Sequence, residues 1–146
     1  MNAAEQATNL TTASKIATIV NLFQASFPDA QADLKPWRND PDTRNHTDPD
    51  SIDIGFHFPG WSRRYQSRSI LLQIRLYDER EEEPGSQAKR AIGVELAGFT
   101  HTGQQWRLST VEQWRCSGVA TPVEEAQEKL RAFCRELLQV FNSGNF

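Results

Sequence analysis

The chain has 146 residues, the usual length of one domain. Its residues are 38% hydrophobic and 24% charged, too apolar for wholesale disorder and too interrupted by charge for a membrane span. The net charge of −3 comes from 7 positive against 8 negative residues in 1–73 and 9 against 11 in 74–146, a balance that argues against general nucleic-acid binding, for which a basic domain is expected.

The N-terminal residues have few large side chains to offset the cost of ordering them, so residues 1–12 are expected to form a frayed tail and residues 13–146 a single α+β domain. That tract has no basic leader region or long apolar core of a secretion signal. From Ser14, which can act as cap, Ile16, Ile19, Val20, Phe23 and Phe27 recur at spacings of three and four and predict a helix that stops at Pro28 and Asp29. The β-branched run Thr18 to Val20 leaves a strand open there. Asp29 to Ser51 reads as a loop or covering arm broken by Pro36, Pro41 and Pro49, with Leu34 and Trp37 pinning it to the core.

The middle of the chain alternates with a period of two, which predicts antiparallel strands. Ile52, Ile54, Phe56 and Phe58 share one face of the first strand, and Ile70, Leu72, Ile74 and Leu76 share one face of the second after a turn at Pro59 to Gln66. Asp78 to Lys89 forms a charged loop before Ile92, Val94 and Leu96 resume the pattern, and Gly98 marks a bulge. A turn at Thr102 and Gly103 leads to Trp106 and Leu108, with the last strand reaching, with a break, as far as Trp114 and Cys116. The expectation is a meander of four or five strands. Thr121, Pro122 and Glu124 then supply a cap, a first-turn proline and the acid of a capping box, and Ala126, Leu130, Phe133, Cys134, Leu137, Val140 and Phe141 form one apolar helical stripe. Helices before and after a meander make an α+β layered domain.

Chemical signatures are sparse. Cys116 and Cys134 are too few for a disulfide framework or a complete metal site, which favours a reducing cytoplasm. His46, His57 and His101 lack the short spacing of metal ligands, and no nucleophile elbow, phosphate loop or dinucleotide fingerprint occurs. Glu81 to Glu83 belong to a solvated loop where nothing raises a carboxyl pKa for acid catalysis. No enzyme, cofactor or metal is therefore expected.

The charge order says more. No acid falls between Asp53 and Asp78, while Arg63, Arg64, Arg68 and Arg75 give that stretch four positive charges, and Asp78 to Glu83 then carries a net −4. Trp61, Ser62, Arg63, Arg64 and Tyr65 set aromatics beside guanidinium groups, residue types enriched at interface hot spots. Trp61, Arg63, Arg64, Tyr65, Arg68 and Arg75 are accordingly the candidate partner-binding residues, for an acidic protein surface. RNA gripped by stacking and phosphate contacts is a rival occupant, and a small-ligand or catalytic pocket around His57 and Asp53 is another. The second sheet face, with Leu71, Gln73, Arg75, Tyr77, Ala97, Arg107 and Arg115, is only partly polar, open to a partner or covered by the Asp29 to Ser51 arm.

The run Ile54, Gly55, Phe56, His57, Phe58, Pro59, Gly60 and Trp61, with Ser62 to Tyr65 behind it, and the later Gln105, Trp106, Arg107, Leu108, Ser109 and Thr110 resemble the EbsA-type family of small cyanobacterial proteins, named for essential biofilm self-suppression. The resemblance covers nearly the whole chain. It implies a cytoplasmic, non-enzymatic α/β sandwich resembling type III secretion chaperones. It also implies a role in type IV pilus assembly, in complex with the pilus extension ATPase and the RNA chaperone Hfq, that restrains biofilm formation. It carries no catalytic residue over to this sequence.

Overall fold

A computed structural model describes residues 1–37, 48–78 and 89–143 of the chain. The period-two segments form β2 (Ser51–Ser62), β3 (Ser67–Asp78), β4 (Lys89–Thr100) and β5 (Gly103–Ser109), and two short strands, β1 (Gln31–Asp33) and β6 (Arg115–Gly118), extend the sheet at either edge. The six strands are antiparallel and ordered β1-β2-β3-β4-β5-β6, so every strand pairs with its neighbour in sequence. Helix α1 (Ala3–Gln6) and helix α2 (Leu10–Ser26) precede the sheet, and helix α3 (Glu124–Asn142) follows it. The architecture is α+β, with one strand more than the expected upper count. The additional strand is β1, which lies inside the tract expected to be an irregular arm; three residues are too few for a period to show.

One face of the sheet carries the core. Ile52, Ile54 and Phe56 of β2 align with Ile74, Leu72 and Ile70 of β3, and these with Val94, Leu96 and Gly98 of β4. The apolar stripes of α2 and α3 close this face: Phe23 stacks on Phe56 with ring centroids 3.8 Å apart and meets Phe133 edge-on at 5.0 Å. Gly98 does mark a bulge, between Gly98 and Phe99, and its lack of a side chain has a second cause. A Cβ there would collide with the Trp106 indole, so glycine makes the room in which the largest core residue is wholly buried.

Four expectations are corrected. Residues 1–12 are not a frayed tail: α1 forms, Ala3 is buried, and the Met1 ammonium lies 3.0 Å from the buried Asp53 carboxylate, a polar anchorage that apolar counting overlooks. Helix α2 starts at Leu10 rather than Ser14, because the Asn9 side chain accepts from the Thr12 N–H at 2.8 Å and caps it earlier. Ile92 is exposed, since a register shift at Arg75/Leu76 sets Ala91 opposite Leu76 and turns Ile92 outward. Thr121 does not cap α3; Val123 stands at that position without a side-chain bond, and its N–H instead donates to the Arg64 carbonyl at 3.2 Å. Among the described residues no helix is long and apolar enough to cross a membrane.

Candidate functional site

The β2–β3 connection gathers most of the residues that the sequence singled out. β2 and β3 pair regularly up to His57 opposite Ser69, then shift register and pair once more at Ser62 opposite Ser67, so Phe58 to Trp61 arches away at the end of the sheet. Trp61 is 53% exposed on this arch, and Arg63 and Arg64 are exposed in the turn that follows. Tyr65 is half-buried. Its ring stacks on Phe58 at 5.3 Å, meets Phe27 edge-on at 5.3 Å, and has the Arg64 guanidinium 5.9 Å above it. Burial pushes the Tyr65 hydroxyl up from its ordinary pKa against the Arg64 charge, so the ring presents a neutral hydroxyl.

The turn is held from beneath. The Trp106 indole N–H donates to the Tyr65 carbonyl at 2.7 Å, and Arg64 pairs with Glu125 at the start of α3 at 2.7 Å. Between the end of α2 and the arch lies a groove of about 250 Å³, walled by Phe27, Pro28, Phe58, Trp61 and Tyr65, with Lys129 reaching across so that its ammonium sits 5.0 Å from the Phe27 ring. Arg68 is exposed at the start of β3 and makes no ion pair among the described residues. Arg75 stands apart: it lies on the opposite sheet face, where it pairs with Glu95 at 3.4 Å. The candidate set therefore resolves into a five-residue cluster around the turn and one residue of a separate network.

That network escaped the sequence reading. Glu95, almost fully buried, accepts from Arg107 and pairs with Arg75, while Ser109 lies 3.4 Å away. Burial alone would raise its pKa, but the Arg107 hydrogen bond and the two arginine charges outweigh that and hold the Glu95 carboxyl below its ordinary range. Arg107 in turn is raised, first by its hydrogen bond to Glu95. Asp53 forms a second node on the same face, taking the Met1 ammonium, the Ser51 hydroxyl at 3.0 Å and the Trp37 indole N–H. The only signal for either in the sequence is an acid at an alternating strand position, which elsewhere marks a solvated face.

The rival pair His57 and Asp53 is not brought together. His57 is exposed and sits 3.1 Å from Asp33 of β1, whereas Asp53 is spoken for by Met1 and Trp37. A concavity of about 180 Å³ does lie beside His57, lined also by Pro36, Trp37, Gly55, Leu71 and Phe99, and Asp53 is absent from its wall. Pro36 and Trp37 thus cover part of the second face, as one reading of the arm expected; residues 38–47 of that arm, with His46, and residues 79–88, with Glu81 to Glu83, lie outside the described residues. Burial pushes the thiols of Cys116 and Cys134 up to about 11 and about 12, leaving both poor nucleophiles. Among the described residues no three His, Cys, Asp or Glu side chains are grouped to hold a metal ion.

Comparison with known proteins adds one match. No curated protein and no solved structure matches the chain. A family model described as a domain of unknown function matches residues 4–143, the span from α1 to the end of α3, and the chain belongs to that family of domains of unknown function.

Proposed function

We propose that the chain is a non-enzymatic adaptor or chaperone-like module that binds a protein partner through the β2–β3 turn. The observation that carries the reading is the exposed Trp61 beside an aromatic groove that Lys129 also lines, with Arg63, Arg64 and Arg68 exposed in and just after the turn that follows, in a chain of net charge −3. An exposed aromatic with clustered arginines is the composition of an interface hot spot, and a local basic surface on an acidic chain selects acidic partners. The His57 concavity, at about 180 Å³, is below the roughly 300–1,000 Å³ of ordinary ligand pockets and has no pair of titratable groups converging in it, which weighs against small-molecule chemistry.

The resemblance to the EbsA-type family supplies the setting we propose: a cytoplasmic role in pilus assembly and biofilm restraint, with the pilus extension ATPase and the RNA chaperone Hfq as partners. The test is capture of each purified partner by the immobilised chain. Wild type is expected to retain at least one of them, and Arg63→Glu/Arg64→Glu/Arg68→Glu to lose it while still unfolding cooperatively, the loss of the exposed Arg64–Glu125 pair costing about 1 kcal/mol or less. Undiminished capture by the triple variant, or none by wild type, overturns the reading. Capture that passes to RNA and falls steeply with salt would place the chain among RNA-binding accessory proteins instead.

A further inference from the structure

Resting on the protein-binding reading, we propose that the groove beside Trp61 takes one apolar side chain of an extended, acidic segment of another protein, which lies along the free edge of β2 in line with β1. Three independent features lead there.

The first is the sheet edge. β1 pairs with Gly55, Phe56 and His57 of β2 and ends, while β2 continues to Ser62. On the N-terminal side of Gln31 the chain leaves through Asp29 and Pro28 toward α2, so among the described residues the edge of β2 from Phe58 to Trp61 faces the groove rather than another strand. An extended segment entering there would continue the line of β1, the mode by which sheet edges recruit peptides, with the backbone groups of this edge other than Pro59, which has no N–H, supplying affinity and a pocket supplying choice of side chain.

The second feature is size and lining. A volume of about 250 Å³ is right for one large side chain and too small for a cofactor. Its walls are the Phe27 ring and the stacked Phe58 and Tyr65 rings, so the anchor is apolar. The third is charge. The lining carries Lys129 against Asp29, and the turn between the lining residues Ser62 and Tyr65 adds Arg63 and Arg64 against Glu125, an excess of one positive charge. Glu125 already shows how a carboxylate engages the rim: it holds Arg64 at 2.7 Å with its own side chain 81% exposed. Such an exposed pair is worth little and exchanges readily, so an incoming carboxylate displaces Glu125.

Gly60 makes the inference testable without unfolding the protein. A Cβ at Gly60, which lines the groove, meets nothing within 4 Å, so a side chain there starts into open space and Gly60→Trp sets an indole beside the groove. The probe is a fluorescein-labelled peptide of Asp and Glu residues around one central Leu, with versions carrying Ser for Leu or Lys for the acids, read by anisotropy. The Leu peptide is expected to bind about tenfold more tightly than the Ser peptide, the equivalent of burying one Leu side chain. Gly60→Trp should weaken it by a similar factor with unchanged melting, and Glu125→Gln, which frees Arg64, should tighten it by up to about threefold. Equal binding of the Leu and Ser peptides, preference for the Lys peptide, or full binding to Gly60→Trp overturns the proposal. If the arginine triple variant still loses partner capture in that case, the protein-binding reading survives and only the anchor groove is lost. Sedimentation showing self-association that Gly60→Trp abolishes would seat a second copy of the chain in the groove and likewise overturn it.

Discussion

The Trp106 indole N–H donates to the Tyr65 carbonyl oxygen at 2.7 Å across 41 residues of sequence, joining a fully buried side chain of β5 to the backbone of the candidate docking turn. Through that bond the core sets the height of the turn. Trp106→Phe keeps an aromatic ring but leaves the carbonyl without its donor and a void beside Gly98. The expected loss is about 2–4 kcal/mol in urea unfolding, from the lost bond and the incomplete packing together, with faster amide exchange in residues 63–66 than in the centre of β3. Unchanged exchange in the turn would show that the bond does not hold it.

Asp53 carries a negative charge into a wholly buried position, and the Met1 ammonium is its counter-charge. Asp53→Asn keeps the shape and removes the charge. It should destabilise the fold by about 2–4 kcal/mol, less than a fully buried pair because Met1 is partly wet, and should unpin α1 first. Protection of the Ala4 amide, which donates to the Leu34 carbonyl, is the reporter; if it is retained in the variant, the pair does not anchor the N-terminal segment.

Glu95 makes stability depend on acid. Its carboxyl titrates below the ordinary value of 4.5 when folded, so its contribution is complete above that value and is lost as pH falls through the folded value. Thermal melts from pH 7 to pH 3 should therefore decline more steeply for wild type than for Glu95→Gln, which starts lower at pH 7 by about 1–3 kcal/mol because Arg75 and Arg107 lose the carboxylate they share, Arg107 keeping only its pair with Glu112. Parallel curves would remove Glu95 from the acid response.

Ser67 is fully buried and its hydroxyl has no hydrogen-bond partner among the described residues. Ser67→Ala removes a polar group that folding desolvates without return, so the variant should melt at or above the wild-type temperature. A fall equivalent to more than about 1 kcal/mol would mean that the hydroxyl is satisfied in solution.

The layered fold was legible because β2 to β5 and α3 repeat apolar residues over many turns of their own periods, a signal that averages out exceptions. What escaped had no period. β1 is three residues long, Asn9 caps α2 through a single side chain, and the N-terminal residues are held by the charge of Met1 and the amide of Asn2, which binds Trp37 through both its oxygen and its nitrogen. Ile92 was misplaced because a bulge at Arg75/Leu76 breaks the parity on which strand reading depends. Of the candidate site, Trp61 to Arg68 was legible as one turn, since residues adjacent in sequence stay adjacent in space. Arg75, which strand parity assigns to the second sheet face, lies there apart from the turn and pairs with Glu95. The groove itself was invisible, needing Phe27 from α2 and Lys129 from α3 to complete its wall.

The most direct test is to add the pilus extension ATPase to isotope-labelled chain and follow every backbone amide by NMR. Perturbations concentrated at Phe58 to Tyr65, with Phe27 and Lys129 beside them, are the predicted result. Perturbations confined to the opposite face, around Arg75, Tyr77 and Arg107, with the turn unmoved, would contradict the assignment of this end of the sheet as the docking site.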